Sequence, residues 1–172
     1  MTRAALDRHD LVERHPGLSD AVAGALVEAA AVALSRHHVD GAASFRVDDG
    51  GRGEQVEICW TAPDDRARRA WNDASRATEW AAEAIAIVAV ELARNLVVVG
   101  RAARGTRNDF HLGREGDGLE TAALLEVAGC DDCGLPGLLA KKQEQAALNP
   151  DALPAIAAVV RFARPHVMID DA

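Results

Sequence analysis

The chain has 172 residues, of which 49% are apolar and 27% charged, enough for one domain with a real core and ordinary for a globular protein. Its formal net charge of −8 at pH 7 excludes the global basic field of a dedicated DNA-binding protein, while a local basic groove stays open. The longest apolar run, "AIAIVAV", is too short to span a bilayer, and the start, "MTRAALDRHDLVERHPG", lacks an apolar signal core, so a cytoplasmic chain with no membrane association is expected.

In chain order, "LSDAVAGALVEAAAVALSRHH" reads as a helix that Ser19 or Asp20 can cap, with apolar residues at helical spacing. "AASFRV" and "EQVEICW" flank the turn-rich "DDGGRG", a hairpin signature. Pro63 and Asp64 open a long helical stretch that runs through "RRAWNDASRATEWAAEAIAIVAVELAR". Its second half is apolar on all sides and should be buried. Three strands follow, "LVVVGRAA", "NDFHLG" and "ALLEVAG". "LPGLLAKKQEQAAL" is a short helix ending before Asn149-Pro150, and "PAIAAVVRFA" is the last strand. The expectation is an α/β (α+β) fold, a mixed sheet with flanking helices, in one domain over residues 1–172. The first strands after the long helix should pair antiparallel. The last strand, reached by a helical crossover, should run parallel to its partner.

Glu126 sits in the middle of an apolar strand, where a carboxylate is costly unless paired or bound to a cation. Asp109 opens the neighbouring strand, so the two can lie side by side. Glu79 and Glu83 are four apart, on one face of the long helix. The only lysines are the adjacent Lys141 and Lys142, amid a total of 19 lysines and arginines. Such a pair is either chance or a residue choice that matters, because lysine can lose its proton and arginine cannot.

The order helix, three strands, helix, strand, with acids on the helix and on two strands, resembles the restriction-endonuclease-like PD-(D/E)XK nucleases over roughly residues 70–165. The segments "ATEWAAEAIAI", "RGTRNDFHLG" and "LLEVAG" are also similar to a family of small uncharacterised bacterial proteins. Its corresponding segments read T-E-x-G-A, G-T-G-x-D-[YF]-x-L-G and L-E-V-[SA]-G. The nuclease resemblance implies an αβββαβ core over residues 63–168, preceded by an N-terminal helix and hairpin over 1–62. It implies a Mg²⁺ or Mn²⁺ site with Asp109 and Glu126 as ligands and Glu79 or Glu83 holding a second ion or its waters. The lysine of the pattern stands two residues after the strand glutamate, and here that residue is Ala128. The resemblance then implies either that Lys141 or Lys142 supplies the cation from the next helix, helped by Gln143 or Gln145, or that the site is degenerate. A degenerate nuclease would serve as a binding or assembly module, with nucleic acid, another protein or a second copy as partner.

Each feature has a plainer reading. Asp109 can be a turn aspartate. Glu126 can be a structural ion pair with Arg101 or Arg104, and Glu79 and Glu83 a solvated face paired with Arg76. Arg101, Arg104, Arg107 and Arg114 surround Asp109 as a phosphate groove would require, or as solvated surface. His111 fits a strand histidine facing solvent better than a metal or phosphate contact. Trp60, Trp71 and Trp80 fit core or interface aromatics. Three cysteines do not make a disulfide framework. Cys130 and Cys133 form a C-x-x-C without the second pair that zinc prefers, Cys59, His37, His38 and His166 being loose candidates. A redox role would need a helix N-terminus in a strand–helix–strand setting. A third class of reading is an α/β accessory protein with no metal site.

Overall fold

The computed structural model describes all residues of the chain except 104, 106 and 151. Strand β1 (Thr2–Ala5) and helix α1 (Arg8–Arg14) precede helix α2 (Asp20–Ser35) and the hairpin of β2 (Ala42–Asp49) and β3 (Arg52–Cys59). Helices α3 (Asp65–Ala70) and α4 (Ala74–Arg94) lead to strands β4 (Leu96–Arg101), β5 (Phe110–Arg114) and β6 (Ala123–Cys130). Helix α5 (Leu135–Ala147) and strands β7 (Ala155–Arg161) and β8 (His166–Asp171) complete the chain. The fold is α/β: a mixed eight-stranded sheet in the order β1-β3-β2-β8-β7-β6-β5-β4, with helices packed on it.

Strands β4, β5 and β6 pair antiparallel, and β6 pairs parallel with β7 across the α5 crossover, as their connections dictate. Four features differ from the sequence expectation. Strands β1 and β8 and helix α1 are additional, and β8 pairs with both β2 and β7, so the hairpin continues the same sheet. The long helical stretch is also broken at residues 71–73, where Asp73 turns extended and accepts from the Ser75 and Arg76 N–H groups as the N-cap of α4. Asn95 ends α4 in the left-handed conformation, with φ 54°.

Both faces of the central strands are covered. On β7, Ile156, Ala158 and Val160 join the main core beneath α2 and α4, and Ala157 and Val159 face α5 together with Leu135 and Leu139. The alternation extends to β6. Leu125 and Val127 belong to the α4 face, so Leu124, Glu126 and Ala128 belong to the α5 face. The outer edge of β4 is guarded by the connection between α1 and α2. Gly17 donates to the Val98 carbonyl at 2.9 Å, and the Val98 N–H donates to Nδ1 of the buried His15 at 3.1 Å. A Cβ on Gly17 would lie 2.2 Å from the Gly100 nitrogen, so only glycine permits this approach. Covering an edge in this way blocks pairing with another chain.

Candidate functional site

Strand β6 outlasts its neighbour. Its pairing with β5 begins at Leu125, opposite Phe110, and residues 126–130 continue beyond. Asp109 stands one residue outside β5, at the point where the strands part. Its N–H donates to the Leu125 carbonyl at 2.8 Å, and its Oδ2 accepts the Val127 N–H at 2.8 Å. The Asp109 side chain thus takes the hydrogen bond that a longer β5 would have made. That bond fixes the carboxylate at the end of the shorter strand.

Glu126 is 3% exposed and faces α5. Lys142 answers it from that helix, with Nζ 2.5 Å from Oε1 and 3.2 Å from the Gln145 side-chain oxygen. The reason is helical phase. Leu135, Leu139 and Ala146 form the buried stripe of α5, and residue 142 falls on that stripe at the spacing of 4, 3 and 4 residues. Lys141 is one step off it and exposed. Of the two lysines, the structure brings Lys142 to the carboxylates and leaves Lys141 in solvent. Gln145 joins the group, whereas Gln143 donates to the Asp171 carbonyl elsewhere.

Glu83 takes a different place. It is 5% exposed, on the α4 side of the sheet, and Arg101 grips it through both guanidinium nitrogens at 2.7 to 3.0 Å. The Arg101 guanidinium is also stacked 4.8 Å from the Phe110 ring and 5.5 Å from the Trp80 ring. Glu83, expected with Glu79 to hold a second ion or its waters, is engaged instead by Arg101, with the sheet between it and Glu126. Glu83 is equally no solvated acid beside Arg76. For the plainer reading of Glu126, the structure supplies a cation in Lys142, while Arg101 is engaged with Glu83. Glu79 is exposed at the rim.

Burial raises the pKa of all three inner acids. Glu126 is pushed up to about 7, by burial first and then by the Asp109 charge and a side-chain hydrogen bond to Asp109, with Lys142 pulling down. Asp109 is raised by burial, against the Val127 N–H and the charges of Lys142 and Arg101. Glu83 rises to about 8 by burial, reinforced by Asp109 and Glu79 and opposed by Arg101. Three acids thus stand against two cations, and protons bound at the raised carboxyls, Glu83 and Glu126 first, relieve the excess charge.

An open cleft of about 410 Å³ lies over this group, lined among others by Glu79, Arg101, Arg107, Asp109, Glu126 and Lys142. Arg107 is exposed at its rim, with φ 60°. Arg104 lies outside the described residues. Arg114 is not part of the cleft; it stands at the far end of β5 beside Glu13 and Leu119. His111 approaches Thr121 at 3.3 Å, away from the carboxylates. Trp60 and Trp71 donate to Ser35 and Glu28, as core and interface aromatics do.

Cys130 and Cys133 are joined in a disulfide and Cys59 is free, a single short link rather than a framework. Among the described residues, no group of three or more His, Cys, Asp or Glu side chains is set to hold a metal ion. Asp109 and Glu126 make a set of two. Two carboxylates suit Mg²⁺ or Mn²⁺, which retain several waters and need few protein ligands. No helix of the described chain is long and apolar enough to cross a membrane. No protein-family model, curated protein or solved structure matches the chain.

Proposed function

We propose that the cleft is a divalent-metal-dependent phosphodiesterase site acting on nucleic acid, in the manner of the PD-(D/E)XK nucleases. The observation that carries this reading is the Lys142 ammonium at 2.5 Å from Glu126, on a helix rather than at the strand position of Ala128. A carboxylate pair with a lysine against it can supply both a metal site and a cation for the charge that develops in phosphodiester hydrolysis. Asp109 and Glu126 would hold Mg²⁺ or Mn²⁺. The ion, when bound, would neutralise phosphoryl oxygens and lower the pKa of water.

The remaining roles belong to the chain. Lys142, held beside Glu126, would donate to the phosphoryl oxygen on which charge develops. Gln145, already bonded to Nζ, holds the ammonium in place. Arg107 at the rim receives the neighbouring phosphate. Arg101 and Glu83 neutralise each other and set the floor of the cleft.

The test is cleavage of single- and double-stranded DNA and RNA in Mg²⁺ or Mn²⁺. Lys142→Met is expected to abolish cleavage, by at least about 100-fold for the loss of a transition-state donor, and to leave metal binding intact. Lys141→Met should cleave as the wild type does. Equal activity in wild type and Lys142→Met removes the assigned role of the lysine. A specific observation favours one second reading: Arg101 is paired to Glu83, and the chain carries a formal net charge of −8, so a polyanion meets an acidic protein. A degenerate nuclease that binds metal and serves as an assembly module would respond to the ion and cut nothing.

A further inference from the structure

Cys130 is the last residue of β6, and Cys133 precedes Gly134, the N-cap of α5. Strands β6 and β7 run parallel on either side of that helix. The C-x-x-C pair therefore sits where a strand turns into a helix within a parallel strand–helix–strand unit. In that setting a dithiol is placed for thiol–disulfide exchange, because the helix N-terminus stabilises a thiolate beside it.

Three further observations point the same way. The bond closes a loop with only two residues between the cysteines, and so short a loop removes little entropy from the unfolded chain; its value as a staple is small. The turn is also held without the bond. Asp131 is paired with Arg36 at 3.3 Å and with His37 at 3.0 Å, Asp132 with Arg164 at 2.7 Å, and Arg161 donates to the Cys133 carbonyl at 3.3 Å. The two sulfurs therefore keep their neighbourhood after reduction. Finally, Cys130 lines an open groove of about 530 Å³ that continues from Val127 and Lys142 to Asp131, and both cysteines are only partly buried.

We propose that Cys130 and Cys133 form a thiol–disulfide exchange site that reacts with a dithiol reductant. A thiolate of the reductant attacks the Cys130 sulfur from the groove. A mixed disulfide forms, the bond between the two cysteines breaks, and Cys133 leaves as a thiolate beside the start of α5, whose N-cap, Gly134, makes no side-chain capping bond. The second thiolate of the reductant then attacks its own sulfur in the mixed disulfide and releases Cys130 as a thiolate. Both protein thiolates take up protons from solvent. Two electrons pass to the protein, and the dithiol leaves as a disulfide.

The test uses the full chain, closed with oxidised glutathione, then treated with dithiothreitol in native buffer and quenched with an alkylating agent. Peptide masses separate Cys130 and Cys133 from Cys59. Both cysteines are expected to be alkylated within minutes with no denaturant, with the near-UV circular dichroism unchanged, and to close again when oxidised glutathione is restored. In the second arm, Cys133→Ser is incubated with oxidised glutathione, and Cys130 should capture one glutathione as a stable mixed disulfide. A bond that resists dithiothreitol until urea unfolds the chain, a pair that does not close, or a Cys130 that takes up no glutathione would each overturn the proposal. These readouts involve no metal and no nucleic acid, so they stand apart from the nuclease reading.

Discussion

Two buried glutamates, one on each side of the sheet, meet their cations in different ways. Glu83, under α4, is locked by the planar fork of Arg101, which is stacked on Phe110 and Trp80. Glu126, under α5, meets the single ammonium of Lys142 through one oxygen and has a second carboxylate, Asp109, beside it. Guanidinium is always charged and its fork is rigid, so the first pair is a fixture. Ammonium is compact and on a flexible stem, so the second pair can be rearranged by an incoming cation. The difference separates a structural ion pair from a group suited to chemistry.

The largest expected effect comes from breaking the fixed pair. Arg101→Met leaves a buried carboxyl without its cation, and the charge-dependent loss should grow above pH 8 towards about 3 kcal/mol at roughly pH 10. The loss should shrink towards pH 6, because Glu83, already raised to about 8, then takes up a proton. Urea midpoints at pH 6 and roughly pH 10 check this, and a loss that is the same at both would mean that Glu83 is neutral throughout.

The loose pair should respond with the opposite sign. A carboxyl whose folded pKa lies above its unfolded value binds more protons in the folded state, so stability falls as pH rises between the two values. For Glu126 that window runs from the ordinary glutamate range up to about 7, and Asp109 adds to it from lower pH. The metal-free protein is expected to be more stable near pH 5 than near pH 8. Glu126→Gln keeps the shape and removes one charge, so it should gain about 1 kcal/mol at pH 8 and flatten the slope. Urea unfolding in EDTA at both values decides; a lower midpoint for the variant at pH 8 would make Glu126–Lys142 a structural pair like its counterpart.

The smallest effect separates the two jobs of Asp109. Asp109→Asn removes the same repulsion as Glu126→Gln but weakens the charged acceptor of the Val127 N–H, so the two effects offset and metal-free stability should change by less than about 0.5 kcal/mol, while any rise in melting temperature with Mn²⁺ is abolished. Asp109→Ala removes the acceptor as well and should cost about 1 kcal/mol. Thermal melts of both variants with and without the ion check the pair of outcomes.

Much of this arrangement is readable from residue order. The hairpin announces itself in "DDGGRG", and β4, β5, β6 and β7 in their β-branched and apolar runs. Glu126 stands out because a carboxylate in such a run requires a partner. The choice of Lys142 over Lys141 was also written in the chain, in the phase of Leu135, Leu139 and Ala146, once the helix boundaries are known. Strand β8 carries a two-residue alternation at Val167 and Ile169, but it is short and follows Arg164-Pro165. Strand β1 has four residues, three of them exposed, and gains its place only from pairing with β3. The break before α4 lies in Asp73, whose cap competes with an otherwise continuous helical pattern.

Other features needed the fold. Helical spacing puts Glu79 and Glu83 on one side of α4, but not on a particular face of the sheet, so the partnership of Glu83 with Arg101 was out of reach. The parallel return of β7 beside β6 is predicted by the helical crossover, whereas the closure of Cys130 and Cys133 into a disulfide needed the fold.

The most direct test of the central claim is calorimetric titration of the metal-free protein with Mn²⁺ at pH 7, in two buffers of different ionisation enthalpy. If Asp109 and Glu126 hold a proton in place of an ion, the wild type binds Mn²⁺ at one site and releases between about half a proton and one proton as it does so. Asp109→Asn should give no binding heat. Binding without proton release, binding that survives in Asp109→Asn, or no binding by the wild type would contradict the assignment of these carboxylates to a metal.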